Sequence, residues 1–333
     1  MTTRTDVIDA IEGNDPAKLL RIVDGMCTAR DWDDLVDLAA RCRQAVDRGK
    51  QLWGVAYHVD YRLALEAPAS YAAAVAATGG GGFTLGPLTE VAAGSHTWEQ
   101  LDEHLPEGTA RTLIAHERVV RGEDVTAADG IDQRLLDMPL ILARWEPSYP
   151  AAAYRSDRAN HPTPPMPAVR EVTLPAPGAI LDHPDETDAL LALTETWVTE
   201  SNGRSEAVAV GGTAEEAIAA LGARRVRIGE IDLEGALAWM AWAAASGGAH
   251  GKRPGAAAGR FAARWTLAAL TDLLEPFPPD EAELGEAGAS LKWYLWDDLA
   301  PSTGWVLRLA AEDPEHGLAW AVSATDAKCC LLY

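Results

Sequence analysis

LEGALAWMAWAAASGGAHGKRPGAAAGRFAARWTLAALTDLL, residues Leu233–Leu274, is the stretch on which the fold turns. Its two flanks, 233–246 and 256–274, are apolar almost all the way round a helical wheel, as in helices buried on most sides. Between them Gly247, Gly248, Gly251 and Gly255 form a loop carrying His250, Lys252 and Arg253. Arg260 and Arg264 follow one turn apart on a single helical face. No carboxylate interrupts the run between Glu234 and Asp272, although the 333-residue chain holds 50 acidic residues.

Outward from this pair, the surrounding chain alternates. Upstream, 185–200 reads as a helix with Leu190, Leu191, Leu193, Trp197 and Val198 on its apolar face. Glu206–Val210 is a strand, and Thr213 with Glu216 is in register for a capping box on the next helix. Ala223–Ile228 alternates as a second strand. Downstream, Pro276, Pro278 and Pro279 break the chain before a short helix over 280–288. Three strands close the sequence, at Leu291–Trp296, Trp305–Ala311 and Leu318–Ala324, the last two joined as a hairpin by Glu312–Gly317. The order predicts an α/β domain with a small mixed sheet ending in a β-hairpin.

The N-terminal half shows helical periodicity and no strand-like alternation. Helices are expected from Asp31 to about Lys50, from Gln51 to Glu66, after the Thr97–Gln100 capping box, and over Arg111–Arg121, with a break at Gly79–Gly82. His58, Asp60, Arg62 and Glu66 make a polar stripe that pairing of Arg62 with Glu66 accounts for. Between the halves, 145–178 contains eight prolines and little apolar periodicity, so it reads as a connector or strap. The class is therefore α+β. Residues 1–145 form an all-α domain, 146–178 a Pro-rich connector, 179–327 an α/β domain, and 328–333 a tail holding Cys329 and Cys330.

Composition narrows the function classes. Hydrophobic residues are 48% and charged residues 23%, in the globular range, and the formal net charge is −22. An acidic chain disfavours nucleic acid and anionic membranes. No run reaches eighteen apolar residues, the N-terminus lacks a signal-peptide core, and the four cysteines fit no zinc spacing. A cytoplasmic location with reduced thiols is expected.

The segments GGAHGKRPGAAAGRFAARW (247–265), LGEAGASLKWYLWD (284–297) and GWVLRLAAEDPEHGLAWAVSATDA (304–327) resemble a family of uncharacterised actinobacterial proteins, a domain of unknown function. The resemblance covers roughly the last hundred residues, with LWGVAYHVDYRLALEAP (52–68) beside it. It implies no activity, cofactor or catalytic residue.

The loop is the main chemical candidate. Unpaired N–H groups at the helix start near Gly255, close-approach glycines, and the charges of His250, Lys252, Arg253 and Arg260 suit an anion such as phosphate. The plain alternative is a solvated loop whose cations pair with the acidic remainder of the chain. It is not a P-loop, since Lys252 is not followed by Ser or Thr. His116-Glu117 stops short of H-E-x-x-H because Val120 replaces the second histidine. The tryptophans of the second half, including Trp239 and Trp265, are expected in the core, with a ligand pocket as the competing reading. The leading reading is a non-catalytic binding protein for a protein partner or a small anionic ligand at 247–260, with Lys252 and Arg260 both exposed. The alternatives are an enzyme acting on a phosphorylated or otherwise anionic substrate, and a structural or assembly protein. No cofactor and no metal ligands are assigned.

Overall fold

The computed structural model describes residues 4–79, 84–300 and 304–327. Part of the expected Gly79–Gly82 break and the tail with Cys329 and Cys330 lie outside them. The chain divides into two compact units: Met1–Val119, Glu123–Leu135 and Ala152–His161 make the first, and Val120–Gly122, Leu136–Ala151 and Pro162–Tyr333 the second. The Pro-rich stretch 146–178 is thus shared between the two, and residues 136–145 lie in the second unit.

The first unit contains α1 (Arg4–Glu12), α2 (Pro16–Ala29), α3 (Trp32–Asp47), α4 (Trp53–Glu66), α5 (Ala69–Ala77), α6 (Leu88–Ser95), α7 (Trp98–Asp102) and all but the last residue of α8 (Thr109–Val120). A two-residue ladder joins β1 (Ala153–Tyr154) to β2 (Ala159–Asn160). Local chemistry starts α2 and α7, whereas Asp31 precedes α3 without a side-chain cap bond. Asp15 caps α2 ahead of Pro16, and Thr97 with Gln100 completes the capping box of α7. Leu35, Leu38, Ala39 and Cys42 of α3 meet Val55, Val59 and Leu63 of α4 in one apolar cluster. Burial pushes the thiols of Cys27 and Cys42 up to about 11, so neither is a reactive thiolate.

The second unit contains β3 (Arg170–Thr173), β4 (Ala179–Ile180), α9 (Pro184–Ala192), α10 (Glu195–Thr199), β5 (Arg204–Gly211), α11 (Ala214–Ala220) and β6 (Arg225–Ile231). These are followed by α12 (Leu233–Ala245), α13 (Ala256–Leu270), α14 (Glu281–Ser290), β7 (Lys292–Asp297), β8 (Trp305–Asp313) and β9 (Leu318–Asp326). Seven strands form one sheet in the order β3-β6-β7-β8-β9-β5-β4, every adjacent pair antiparallel. The class is α+β, as the sequence implies, but the sheet is neither small nor mixed. The two strands of the β5-α11-β6 unit do not pair with each other. Instead the three C-terminal strands insert between β5 and β6 and make every pairing antiparallel.

The sheet is curled. Its edge strands β3 and β4 are joined by only residues 174–178, a link spanning roughly 20 Å at full extension. Seven flat strands would set those edges about 29 Å apart. One face closes on α11 through Val208, Val210, Val226 and Ile228. The other packs Trp293, Leu295, Leu307, Leu309 and Val322 against α9, α12 and α13. The last two helices touch almost backbone to backbone: a Cβ on Gly259 would lie 2.3 Å from the Ala241 carbonyl oxygen. Their alanine-rich faces make that approach possible.

Candidate functional site

The loop between α12 and α13 is tied down by acids from elsewhere in the chain. The Asp326 carboxylate at the end of β9 accepts the Ala249 N–H at 2.6 Å, and Glu200 beyond α10 accepts the Lys252 N–H at 2.9 Å. Gly248 is needed here, since it has φ +66° and a Cβ would sit 2.2 Å from the Asp326 oxygen. The acid-free window is therefore a property of the local sequence, not of the folded loop. The His250 and Lys252 side chains are exposed, and Arg253 is half-buried.

Arg260 does not join them. It is fully buried, and Glu146 accepts from its Nε at 2.7 Å and from its Nη2 at 2.8 Å. The carbonyls of Pro139 and Ile141 accept from Nη1 and Nη2 at 2.8 and 3.0 Å. The expectation of an exposed Arg260 is overturned, because its counter-charge comes from a segment over a hundred residues upstream. Arg264, also buried, lies 3.3 Å from Glu146, pairs with Glu281, and rests on the Trp145 ring at 5.1 Å. Burial pushes the Glu146 carboxyl up. The Arg260 hydrogen bonds and the charges of Arg260 and Arg264 outweigh that, holding it below its ordinary value. Tyr149 donates to Glu146 at 2.9 Å, and its own phenol is raised mainly by burial. This cluster locks residues 139–149 onto α13.

A cleft of about 460 Å³ opens elsewhere in the second unit, where the sheet splits. The β7–β8 ladder runs from Lys292↔Glu312 to Leu295↔Leu309 and stops. Beyond that point Trp296 and Asp297 pair only with β6, and Trp305–Arg308 only with β9. Trp239 and Trp242 of α12, Leu295 and Trp296 of β7, and Val306 and Arg308 of β8 line the gap. A strap containing Thr163, Met166, Pro167 and Val169 borders it. Trp239 Nε1 donates to the Pro165 carbonyl at 3.3 Å, tying that strap to α12. Gly229 seats it on β6, since a Cβ there would meet the Ala168 carbonyl oxygen at 2.6 Å.

Two of the lining indoles touch each other, and one of them is backed by a further tryptophan outside the lining. Trp242 stacks on Trp305 with centroids 4.9 Å apart and meets Trp239 edge-on at 5.3 Å. The Arg308 guanidinium lies over the Trp296 ring at 5.4 Å and donates from Nη2 to Asp298 at 2.6 Å. Arg227 Nε donates to both Asp297 oxygens at 3.0 and 3.1 Å. Three side-chain donors bordering the cleft, Trp242 Nε1, Trp296 Nε1 and Arg308 Nε, are shielded from water and have no hydrogen-bond partner among the described residues. Each such orphan costs about 1–3 kcal/mol. Three other indoles of this unit have partners: Trp197 donates to Ser246, Trp293 to the Gly288 carbonyl, and Trp145 to the Glu281 carbonyl.

Trp293 and Trp320 are core residues, as expected; Trp239 and Trp296 are buried too but border the cleft, so the competing pocket reading applies to them. Trp265 is not a core residue: it is 36% exposed, in a surface cluster with Phe261 and Phe277. Trp239 and Trp242 lie three apart on one helical face, and WYLW at 293–296 recurs on β7. Those spacings were the available signal for the cleft, whereas the ladder's early end leaves no trace in sequence.

The first unit has a second cleft, of about 790 Å³, rimmed by exposed Leu20, Trp53 and Leu85. Its charged groups are already engaged. Arg62 pairs with Glu66, as the sequence spacing indicates, and also with Asp24. Asp60 faces Arg43. Burial, then the Arg62 charge, lowers the His58 imidazole from its ordinary value.

A family model described as a family of unknown function (DUF6183) matches residues 17–328, well beyond the last hundred residues. No curated protein and no solved structure matches the chain. Among the described residues, no helix is long and apolar enough to cross a membrane.

Proposed function

Because the chain belongs to DUF6183, whose function is unknown, we propose from its own geometry that it is a non-catalytic protein binding a small planar apolar molecule in the tryptophan-walled cleft. The observation that carries this reading is the coincidence of the sheet split with that aromatic wall. The β7–β8 pairing ends on the side of their connecting loop, and the indoles of Trp239, Trp242 and Trp296 line the opening this leaves. The volume lies within the range of small-molecule sites. Catalysis receives less support, because the cleft's charged groups are paired: Arg227 with Asp297, and Arg308 with Asp298. An anion site at 247–260 is the weaker alternative, since Glu200 and Asp326 already accept loop amides and Arg260 is buried against Glu146.

The test is a titration of the full chain with one- and two-ring aromatic compounds, followed by tryptophan fluorescence and thermal shift. Binding is expected in the wild type and should be lost in Val306→Trp, which fills the gap, and weakened in Met166→Asp at the exposed strap. If no aromatic compound binds, or Val306→Trp binds equally well while folded, the reading fails.

A further inference from the structure

We infer that the strap over residues 162–168 is a lid on the tryptophan cleft, latched by Trp239 and displaced whenever the cleft admits its ligand. This rests on the cleft reading above and adds how the site is gated. The apolar floor of the cleft is shut in this structure. Trp239, Trp296 and Leu295 line it, yet they are only 6%, 5% and 2% exposed. A planar molecule can lie against those side chains only after a bordering element has moved. The bordering elements differ in what holds them. Arg227 and Asp297 face each other across the β6–β7 ladder, and Val306 and Arg308 pair with Thr325 and Ser323 of β9. Trp239 and Trp242 belong to α12, which is pressed against α13 where Gly259 meets Ala241. Gly304 lies tight on the end of β9, where a Cβ would be 2.4 Å from the Asp326 carbonyl oxygen.

The strap has no such support. Pro162, Pro164, Pro165 and Pro167 carry no N–H, so they cannot donate to a ladder. Among the described residues, 162–168 make one hydrogen bond, from Trp239 Nε1 to the Pro165 carbonyl. At 3.3 Å it is longer than the usual N–H···O range. Of the strap's side chains only Pro164 is buried, and Met166 is 53% exposed, so lifting the strap uncovers little of its own surface. Its seat is the bare backbone of Gly229, where a Cβ would meet the Ala168 carbonyl oxygen at 2.6 Å and the Pro167 ring at 2.8 Å. From Arg170 onward the chain is fixed to β6 as β3, which confines the movement to the strap. The latch and the seat are therefore separate, and each can be removed by one substitution.

Stopped-flow tryptophan fluorescence of the full chain mixed with 2-naphthol tests this. The observed rate should level off with concentration, at a ceiling set by the opening of the strap. Gly229→Ala places a methyl in the strap's seat and should raise that ceiling at least threefold. Trp239→Phe keeps a ring but removes the latch, and should raise it about 2–10-fold, the worth of one hydrogen bond. It decides the matter if Gly229→Ala does not fold. Hydroxyl-radical footprinting without ligand supplies a second readout. Oxidation of Trp239 should rise at least threefold in Gly229→Ala, with enclosed Trp293 unchanged as the internal reference. A wild-type rate that stays linear in concentration, a ceiling unchanged in both variants, or unchanged Trp239 oxidation in folded Gly229→Ala would each overturn the lid and leave the cleft reading standing. If neither 2-naphthol nor the wider aromatic series binds, both fall.

Discussion

Replacing Glu146 by alanine should destabilise the second unit severely, through a mechanism specific to this structure. Arg260 is fully buried, and Glu146 supplies its paired carboxylate; the other acceptors are the carbonyls of Pro139 and Ile141. Without Glu146 a guanidinium charge remains in the interior with two neutral acceptors, and Arg264 keeps only its link to half-exposed Glu281. Breaking a buried pair from one side costs about 3–5 kcal/mol, most of it the stranded charge. For a unit of this size that is roughly 6–20 °C in Tm. Denaturant melts followed by tryptophan fluorescence suit the purpose, since most of the chain's tryptophans lie in this unit. Glu146→Met combined with Arg260→Met removes both charges and should recover more than half of the loss. A single-variant cost below about 1 kcal/mol, or a double variant no better than Glu146→Ala, would refute the buried-lock account.

Other consequences are independent of that one. The Glu146 carboxyl is held below its ordinary value, so its contribution is present above the unfolded carboxylate pKa of about 4.3 and is lost as pH falls through the lower folded value. The denaturant midpoint of the wild type should fall more steeply from pH 5 to 3 than that of Glu146→Gln; parallel profiles would contradict this. Trp293→Ala should cost about 3–5 kcal/mol and Trp265→Ala less than about 1.5, because the first ring is enclosed and the second is at the surface. Equal losses in urea melts would count against this division. Gly259→Val should destabilise by about 1–3 kcal/mol despite the gain in helix propensity, since its Cβ has no room beside the Ala241 carbonyl. A stabilised variant would show that α12 and α13 can separate freely.

Local signals were legible and distant ones were not. Thr97–Gln100 and Thr213–Glu216 encode their caps within four residues, and both capping boxes form. The hairpin β8–β9 is similarly marked by alternation and a tight turn. β3 and β4 escaped because proline-rich surroundings mask two short edge strands. The partners of Arg260 and of the loop amides arrive from Glu146, Glu200 and Asp326, and no window around 247–260 contains them. The tryptophan cleft is assembled from the strap, α12, β6, β7 and β8. Its residues could be noticed singly, but a register that ends two residues early is a tertiary fact.

The strand order carries a consequence for how the chain is made. β5 pairs with β9 through Arg204↔Thr325 to Gly211↔Leu318, contacts more than a hundred residues apart. β6 likewise waits for β7 on its inner side. During synthesis at ~5–20 residues per second, β5 and β6 would emerge several seconds to some tens of seconds before their inner partners. Over that interval Val208, Val210, Val226 and Ile228 have only α11 and the short edge strands for cover. The β8–β9 hairpin is local and can form as soon as it emerges, giving the waiting strands a template. Folding of this unit should accordingly be slow, on the ms–s scale of sheets built from non-local pairs, and sensitive to holdase chaperones until β9 is available.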